Sequence, residues 1–232
     1  CAAISMVYLF ERMFLLHGKS KYIDCMERTL YNCVISGMSM DGGRFFYPNP
    51  LSSDGKYKFN ADGNTTRQPW FGCACCPSNL CRFIPSVPGY LYGVKDNNIY
   101  VNLFAGNTST IKVNGKDVVL EETTEYPWDG DIKIAVKKSG VKNANLLVRI
   151  PGWVRNQVLP SDLYKYSDAE KPAYSVTVNG KAVEADLDAN KGYLPVKNIK
   201  KGDVIRIHFD MPVRTVVANG KVADDKGKVG VE

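Results

Sequence analysis

Four of the chain's seven cysteines fall in the stretch WFGCACCPSNLC, Trp70 to Cys81, and two of them, Cys75 and Cys76, are adjacent. An odd cysteine count argues against a framework built only of disulfides. A disulfide between neighbours would also strain the peptide that joins them. Metal binding or thiol chemistry is the better reading of the pair. Pro77 follows at once, and proline favours the first positions of a helix. Unpaired amides and the helix macrodipole put partial positive charge there. Such surroundings favour thiolate, the form that binds zinc and attacks carbon. Cys73, Cys75, Cys76 and Cys81 do not follow the paired Cys-x-x-Cys spacing of a zinc ribbon. A metal site here must take a ligand from elsewhere in the chain.

The other cysteines are expected to be buried small apolar residues. Cys25 and Cys33 lie near the apolar face of a second helix, Cys81 inside a third, and Cys73 just before it. The chain has two histidines. His17 falls in the last turn of the first helix, where a cation suits the dipole. His208 alternates with Ile207 and Phe209 and reads as a surface strand residue. Neither suits a Cys-His dyad, which weighs against a cysteine protease.

The elements that must position the thiols come in two kinds. From Cys1 to about Gly93 the pattern is mostly helical. Ile4, Val7, Phe10 and Phe14 form one stripe, closed by His17 and Gly18. Ser20 is expected to cap a second helix with the stripe Ile23, Met26, Leu30 and Val34, ended by Gly37. The short loop between them makes the two helices antiparallel. Asp41-Gly42-Gly43 marks a turn in a short hairpin, and the stretch from Ser52 to Thr66 reads as a surface loop. A third helix begins at Pro77, carries Leu80, Phe83, Ile84 and Val87, and is stopped by Pro85 and Pro88. From about Val94 the period changes to two, in NIYVNLF, STIKV, DIKIAV, LLVRI, YSVTV and VIRIHF. Asn-Gly at 114–115, 179–180 and 219–220 suits type I′ hairpin turns. Short strands at this spacing predict an antiparallel β-sandwich.

The 232 residues are enough for a real core in one or two domains. The net charge of +6 is spread as isolated lysines, with no basic block. Nucleic acid is therefore not an expected partner. No apolar run reaches the roughly 18 residues of a membrane span, so no membrane partner is expected either. The chain opens on Cys1 and stops in what reads as the middle of a strand, so an internal fragment of a longer polypeptide is expected. The compartment is not readable; a zinc-held thiolate suits cytoplasm or periplasm.

The segments CAAISMVYLFERM, MERTLYNCVISGMSMDGGRFFYPNPL, RQPWFGCACCPSNLCR, VNLF, YPWDGDI, LLVRIPGW and MPVRTV occur in this order. Together they resemble glycoside hydrolase family 127, the β-L-arabinofuranosidase family of (α/α)6-barrel enzymes with appended β-sandwich domains. The resemblance covers essentially the whole chain, and WFGCACCP is its most specific piece. It implies a multi-domain α + β chain: residues 1–93 as the end of an (α/α)6 barrel, 94–212 as an antiparallel β-sandwich, and 213–232 as the start of a further β segment.

In that family a zinc ion is held by three cysteines and a glutamate, and one cysteine is the nucleophile. The resemblance makes Cys75 the nucleophile, Cys1, Cys75 and Cys76 the zinc ligands, and Tyr47 a residue lining the sugar site. The glutamate ligand would lie two residues before Cys1, and the acid/base glutamate further upstream, in a missing N-terminal part of the polypeptide. The implied activity is retaining hydrolysis of an L-arabinofuranose-containing glycan or related sugar, with Zn2+ as cofactor. The fragment alone is expected to be inactive. Arg67, Gln68 and Trp70 could shape a sugar subsite or serve structure alone, Asn79 is placed in the first turn of the third helix, and Trp128 and Trp153 read as packing aromatics. The alternative reading is a non-catalytic β-sandwich or structural-zinc fragment supporting a carbohydrate-active enzyme.

Overall fold

Why the apolar stripe of the first helix lies inward is plain in the computed structural model, which describes residues 1–50, 52–168 and 170–232. Helix α1 (Ala2–His17) buries Ile4, Val7 and Phe14. Gly18 ends it in the left-handed conformation, φ 61°, with its N–H donating to the Phe14 carbonyl. Few side chains take that φ without strain. Helix α2 (Ser20–Thr29) packs back on α1. Its cap differs from the sequence expectation. Lys19 holds the cap position, and Ser20 is the first helical residue. The Ser20 hydroxyl is used elsewhere, accepting from Arg155.

The predicted run from Ser20 to Gly37 is not one α-helix. It passes into a π-helical turn, Leu30–Val34, and a 3-10 turn, Ile35–Gly37. Thr29 and Ser36 hydroxyls donate to carbonyls four residues back, at Cys25 and Asn32, a contact that competes with regular helix bonding. Met38 and Phe45 then pair across the Asp41-Gly42-Gly43 turn, and Phe45 also pairs with Gln68. The last helix, α3 (Cys75–Phe83), runs into a 3-10 stretch, Ile84–Tyr90, that contains both prolines.

The strands are β1 (Tyr92–Lys95), β2 (Asn98–Val101), β3 (Asn107–Val113), β4 (Lys116–Thr124), β5 (Asp131–Ser139), β6 (Asn145–Arg149), β7 (Tyr164–Tyr166), β8 (Tyr174–Val178), β9 (Lys181–Ala182), β10 (Tyr193–Val196), β11 (Val204–Phe209), β12 (Thr215–Ala218) and β13 (Val229–Val231). They form sheets ordered β1-β2-β6-β10, β3-β4-β5-β11-β8-β9 and β13-β12-β7. The first two share one core, with Ile99, Val101, Leu146 and Val148 from one sheet meeting Leu120, Ile134, Ile205 and Ile207 from the other. Alternation in β11 explains the register: Ile205, Ile207 and Phe209 face in while Arg206 and His208 face out.

Two expectations are corrected here. The pairing is not wholly antiparallel, because β2 and β6 are parallel. The chain leaves the small sheet after β2, builds β3 to β5 in the large one, and returns beside β2 in the same direction. Of the three Asn-Gly pairs, two are I′-type: Asn114-Gly115 has φ 48° and 77°, and Asn179-Gly180 has 51° and 80°. Asn219-Gly220 is not, because no partner strand follows at once. Asn219 instead donates to the Asp162 carbonyl and accepts from the Lys221 amide.

A charged residue joins the helical and β parts. Arg149, at the end of β6, is fully buried. Its guanidinium donates to the Asn102 carbonyl at 2.6 Å, to Asp24 at 2.7 Å, and to Glu27, both acids lying on α2. Tyr126 also donates to Glu27, and Arg155 to Asp24. Every buried charge in this cluster is thus paired, which a buried ion needs. Gly93 lies at the same seam. A Cβ there would stand 2.9 Å from the Phe14 ring, so glycine lets the helix and the first strand close on each other.

Candidate active site

The starts of two helices meet at one point. Cys1 is the cap residue of α1, while Cys75 and Cys76 are the first two residues of α3. The helix therefore begins two residues before Pro77, with the cysteines inside its first turn rather than ahead of it. The sulfurs of Cys1, Cys75 and Cys76 all lie within 4.8 Å of one another. Cys1 and Cys76 stand 3.5 Å apart.

This arrangement suits a metal ion. A tetrahedral centre with sulfur at 2.3 Å separates its ligands by about 3.8 Å, close to the spacing seen. The chemistry of the donors agrees, since three thiolates suit zinc or another soft-accepting cation. A fourth donor remains to be supplied.

Tyr47 reaches the cluster from the loop after the Asp41-Gly42-Gly43 turn. Its backbone N–H donates to Asn60, a buried side chain that is fixed in turn by the Thr66 carbonyl. The ring packs edge-on against Phe71, and the hydroxyl meets the Cys75 sulfur at 2.5 Å. That hydrogen bond is the largest cause of a Cys75 pKa below the ordinary thiol value, with smaller help from Cys73 and Cys76. Bonding to the two sulfurs pushes the Tyr47 phenol up. The two shifts, Cys75 lowered and Tyr47 raised, both favour the tyrosine as donor and the sulfur as acceptor.

Cys1, Cys76 and Tyr47 line a small cleft of about 50 Å³, together with Cys33, Phe45 and Leu80. A larger open cleft, of about 570 Å³, lies elsewhere, between Arg155–Gln157 and Asp186–Asp188 in the β part. It holds none of these thiols.

The remaining cysteines depart from expectation. Cys33, Cys73 and Cys81 are exposed. The buried face of α3 is Pro77, Leu80 and Phe83, and Cys81 lies a hundred degrees round the helix from Leu80. Cys33 lies on the π-helical turn Leu30–Val34 and lines the cleft. Cys73 stands in the turn before α3. Of these four cysteines, Cys25 alone is half-buried, and burial pushes its thiol up to about 11.

Among the other candidates, Arg67 serves structure. It donates to the Gly37 and Ser36 carbonyls and lies over the Phe46 ring. Gln68 pairs its backbone with Phe45 and its side chain with Thr66. Trp70 is 60% exposed. Trp153 packs edge-on against Phe209 in the core, whereas Trp128 is 85% exposed, so its expected packing role is not what the fold gives it. His17 closes α1, and His208 is half-exposed between Asp131 and Asp210. Asn79 donates to the Cys1 sulfur, a contact the sequence did not indicate.

The two halves of the chain match two descriptions: Beta-L-arabinofuranosidase, GH127 catalytic domain, over residues 1–89, and the GH127 middle domain over residues 98–211. The chain belongs to glycoside hydrolase family 127. It is 32% identical to a non-reducing end beta-L-arabinofuranosidase of Bifidobacterium longum, over 100% of this chain and 33% of that protein. A solved GH127 beta-arabinofuranosidase is 56% identical, with a TM-score of 0.92, over 100% of this chain and 35% of that one. A GH127 beta-L-arabinofuranosidase from Geobacillus stearothermophilus T6 is 35% identical, with a TM-score of 0.83, over 100% and 34%. The chain thus spans about a third of the length of these relatives.

Proposed function

We propose that the chain carries the thiol half of the active site of a retaining β-L-arabinofuranosidase-type glycoside hydrolase. The observation that carries this reading is the meeting of Cys1, Cys75 and Cys76, with Tyr47 bonded to Cys75. Residues 1–93 are read as the end of an (α/α)6 barrel, 94–212 as a β-sandwich, and 213–232 as the opening of a further β segment. Zn2+ is the proposed cofactor, held by Cys1, Cys75 and Cys76 with a glutamate from outside these residues. When bound, it keeps thiolates deprotonated at neutral pH.

Cys75 is the nucleophile of this mechanism. Its sulfur attacks the anomeric carbon of an L-arabinofuranosyl group, forming a C–S bond as the glycosidic C–O bond breaks. A glutamate supplied by the rest of the polypeptide protonates the departing oxygen. The same group, now a base, takes a proton from water as the water attacks the anomeric carbon and the C–S bond breaks. Two inversions at one carbon give retention. Tyr47 donates to the sulfur while it carries negative charge, and it lines the sugar site. The substrate is an L-arabinofuranose-containing glycan or a related sugar, and the N-terminal part of the same polypeptide is the partner that completes the site.

The test is Cys75→Ser in the full-length polypeptide, assayed on a chromogenic β-L-arabinofuranoside with metal content measured alongside. Turnover is expected to vanish while some zinc remains bound. Retained turnover overturns the nucleophile assignment. Bound zinc with no glycosidase activity in the wild type would favour the purely structural metal.

A further inference from the structure

Asn79 reaches the cysteine cluster without being one of its thiols. It lies four residues after Cys75 and three after Cys76, so helix geometry sets it one turn along on their face. Its Nδ2 stands 3.6 Å from the Sγ of Cys1, which belongs to the other helix. That distance is within hydrogen-bond reach of sulfur, whose radius exceeds that of oxygen. The same Cys1 sulfur lies 3.5 Å from Cys76. The amide therefore ties the start of α1 to the face of α3. Asn79 is half-buried and Cys1 exposed, so the contact is open to water, and a bound cation would be what keeps the sulfur in place.

We propose that Asn79 is a positioning residue of the metal centre: its Nδ2–H donates to the Cys1 thiolate and holds that sulfur where a cation shared with Cys76 needs it. The proposal rests on the metal-thiolate reading given above. A metal-bound thiolate keeps lone pairs and negative charge beyond the metal bond. A donor on that sulfur offsets the charge and fixes the side-chain rotamer. An amide suits the task because it is neutral at every working pH and binds zinc poorly. Histidine or aspartate in its place would compete to be a ligand. The amide must present nitrogen to the sulfur, because its oxygen would be repelled. The cluster then has two separate donors, with Tyr47 on the sulfur that attacks and Asn79 on a sulfur that only holds.

The experiment compares wild type, Asn79→Leu and Asn79→Ala in the full-length polypeptide. Zinc affinity is measured by competition with a chromogenic chelator. The thiolate-to-metal charge-transfer bands of the cobalt(II)-substituted protein are recorded, with circular dichroism as the check on folding. Leu keeps the branched shape of Asn79 without its polar atoms; Ala carries the test if the bulkier Leu disturbs the helix. Removing an outer donor of this kind typically weakens metal binding about 10–100-fold. The bands should move to longer wavelength, because a sulfur without its donor is more electron-rich. Unchanged affinity and spectrum overturn the proposal, and so does weaker binding with unmoved bands, which would mean a packing role alone. A wild type with no zinc affinity and no charge-transfer bands overturns the metal reading itself, a result distinct from either.

Discussion

The Tyr47 hydroxyl and the Cys75 sulfur meet at 2.5 Å, across 28 residues of sequence. The loop that delivers Tyr47 is held at its base by Asn60, so the contact is built rather than incidental. A hydrogen bond to an anionic acceptor is stronger than one between neutral groups. If Cys75 attacks carbon, the same donor also stabilises the thiolate released when the glycosyl group leaves. Tyr47→Phe keeps the ring and its packing on Phe71 but removes that donor. It should lower kcat/KM on a β-L-arabinofuranoside roughly tenfold to a hundredfold, with zinc content unchanged. An unaltered kcat/KM would show that the hydroxyl does not act on the reacting sulfur.

Glu122 sets a pH dependence of stability in the β part. It is 3% exposed, and it accepts from Tyr92 at 2.9 Å and from the Ala105 amide at 3.1 Å. Burial outweighs those bonds and raises its pKa from 4.5 to about 7. The folded protein therefore keeps a proton that the unfolded chain releases above pH 4.5. Stability is full below that pH, falls as pH rises toward 7, and is level beyond. The loss is on the order of 3 kcal/mol. Glu122→Gln should flatten the curve between pH 4.5 and 7 and stabilise the protein at pH 8, as read by urea unfolding. A slope unchanged in the variant would place the titration elsewhere.

What the sequence made legible was local. The stripe of α1 needs only the 3.6 period, and the turns at Asn114-Gly115 and Asn179-Gly180 need only two residues that tolerate positive φ. Asn219-Gly220 has the same letters and a different fold, because a hairpin also needs a second strand at the right distance. The expectation of a reactive pair at Cys75 and Cys76 rested on the helix start beside them, whereas the Tyr47 hydrogen bond is the largest cause that lowers Cys75. Their convergence with Cys1, 75 residues from Cys76, followed only from the family resemblance. The contact of Asn79 with Cys1 and the place of Cys33 on the cleft went unread because each is a property of two packed elements. Arg149 went unread for the same reason: a charged residue ending an apolar strand looks like surface until Glu27, 122 residues away, is seen beside it.

That cluster predicts a non-additive response. Arg149→Met leaves Glu27 and Asp24 without their central cation in a buried place. Breaking a buried pair from one side costs about 3–5 kcal/mol. Replacing both Arg149 and Glu27 by apolar residues, as in Arg149→Met with Glu27→Leu, should recover part of that loss. Urea unfolding of wild type, both single variants and the double variant measures the coupling. Losses that simply add would mean that the pair is not the link between α2 and β6.

Gly93 tests how closely the helical and β parts are fitted. Its φ is not in the left-handed region, so no conformational need for glycine exists there. The requirement is space: a Cβ would lie 2.9 Å from Phe14 Cε1 and 3.2 Å from Cζ. Phe14 cannot easily yield, because it is 4% exposed and packed edge-on against Tyr100. Overpacking of this kind costs about 1–3 kcal/mol. Gly93→Ala should therefore destabilise by that amount, although alanine is the better residue for a strand backbone. Phe14→Leu frees room at the same point and should make the Gly93→Ala change smaller in its presence than in its absence. Equal penalties in the two backgrounds would show that the ring is not what forbids the side chain.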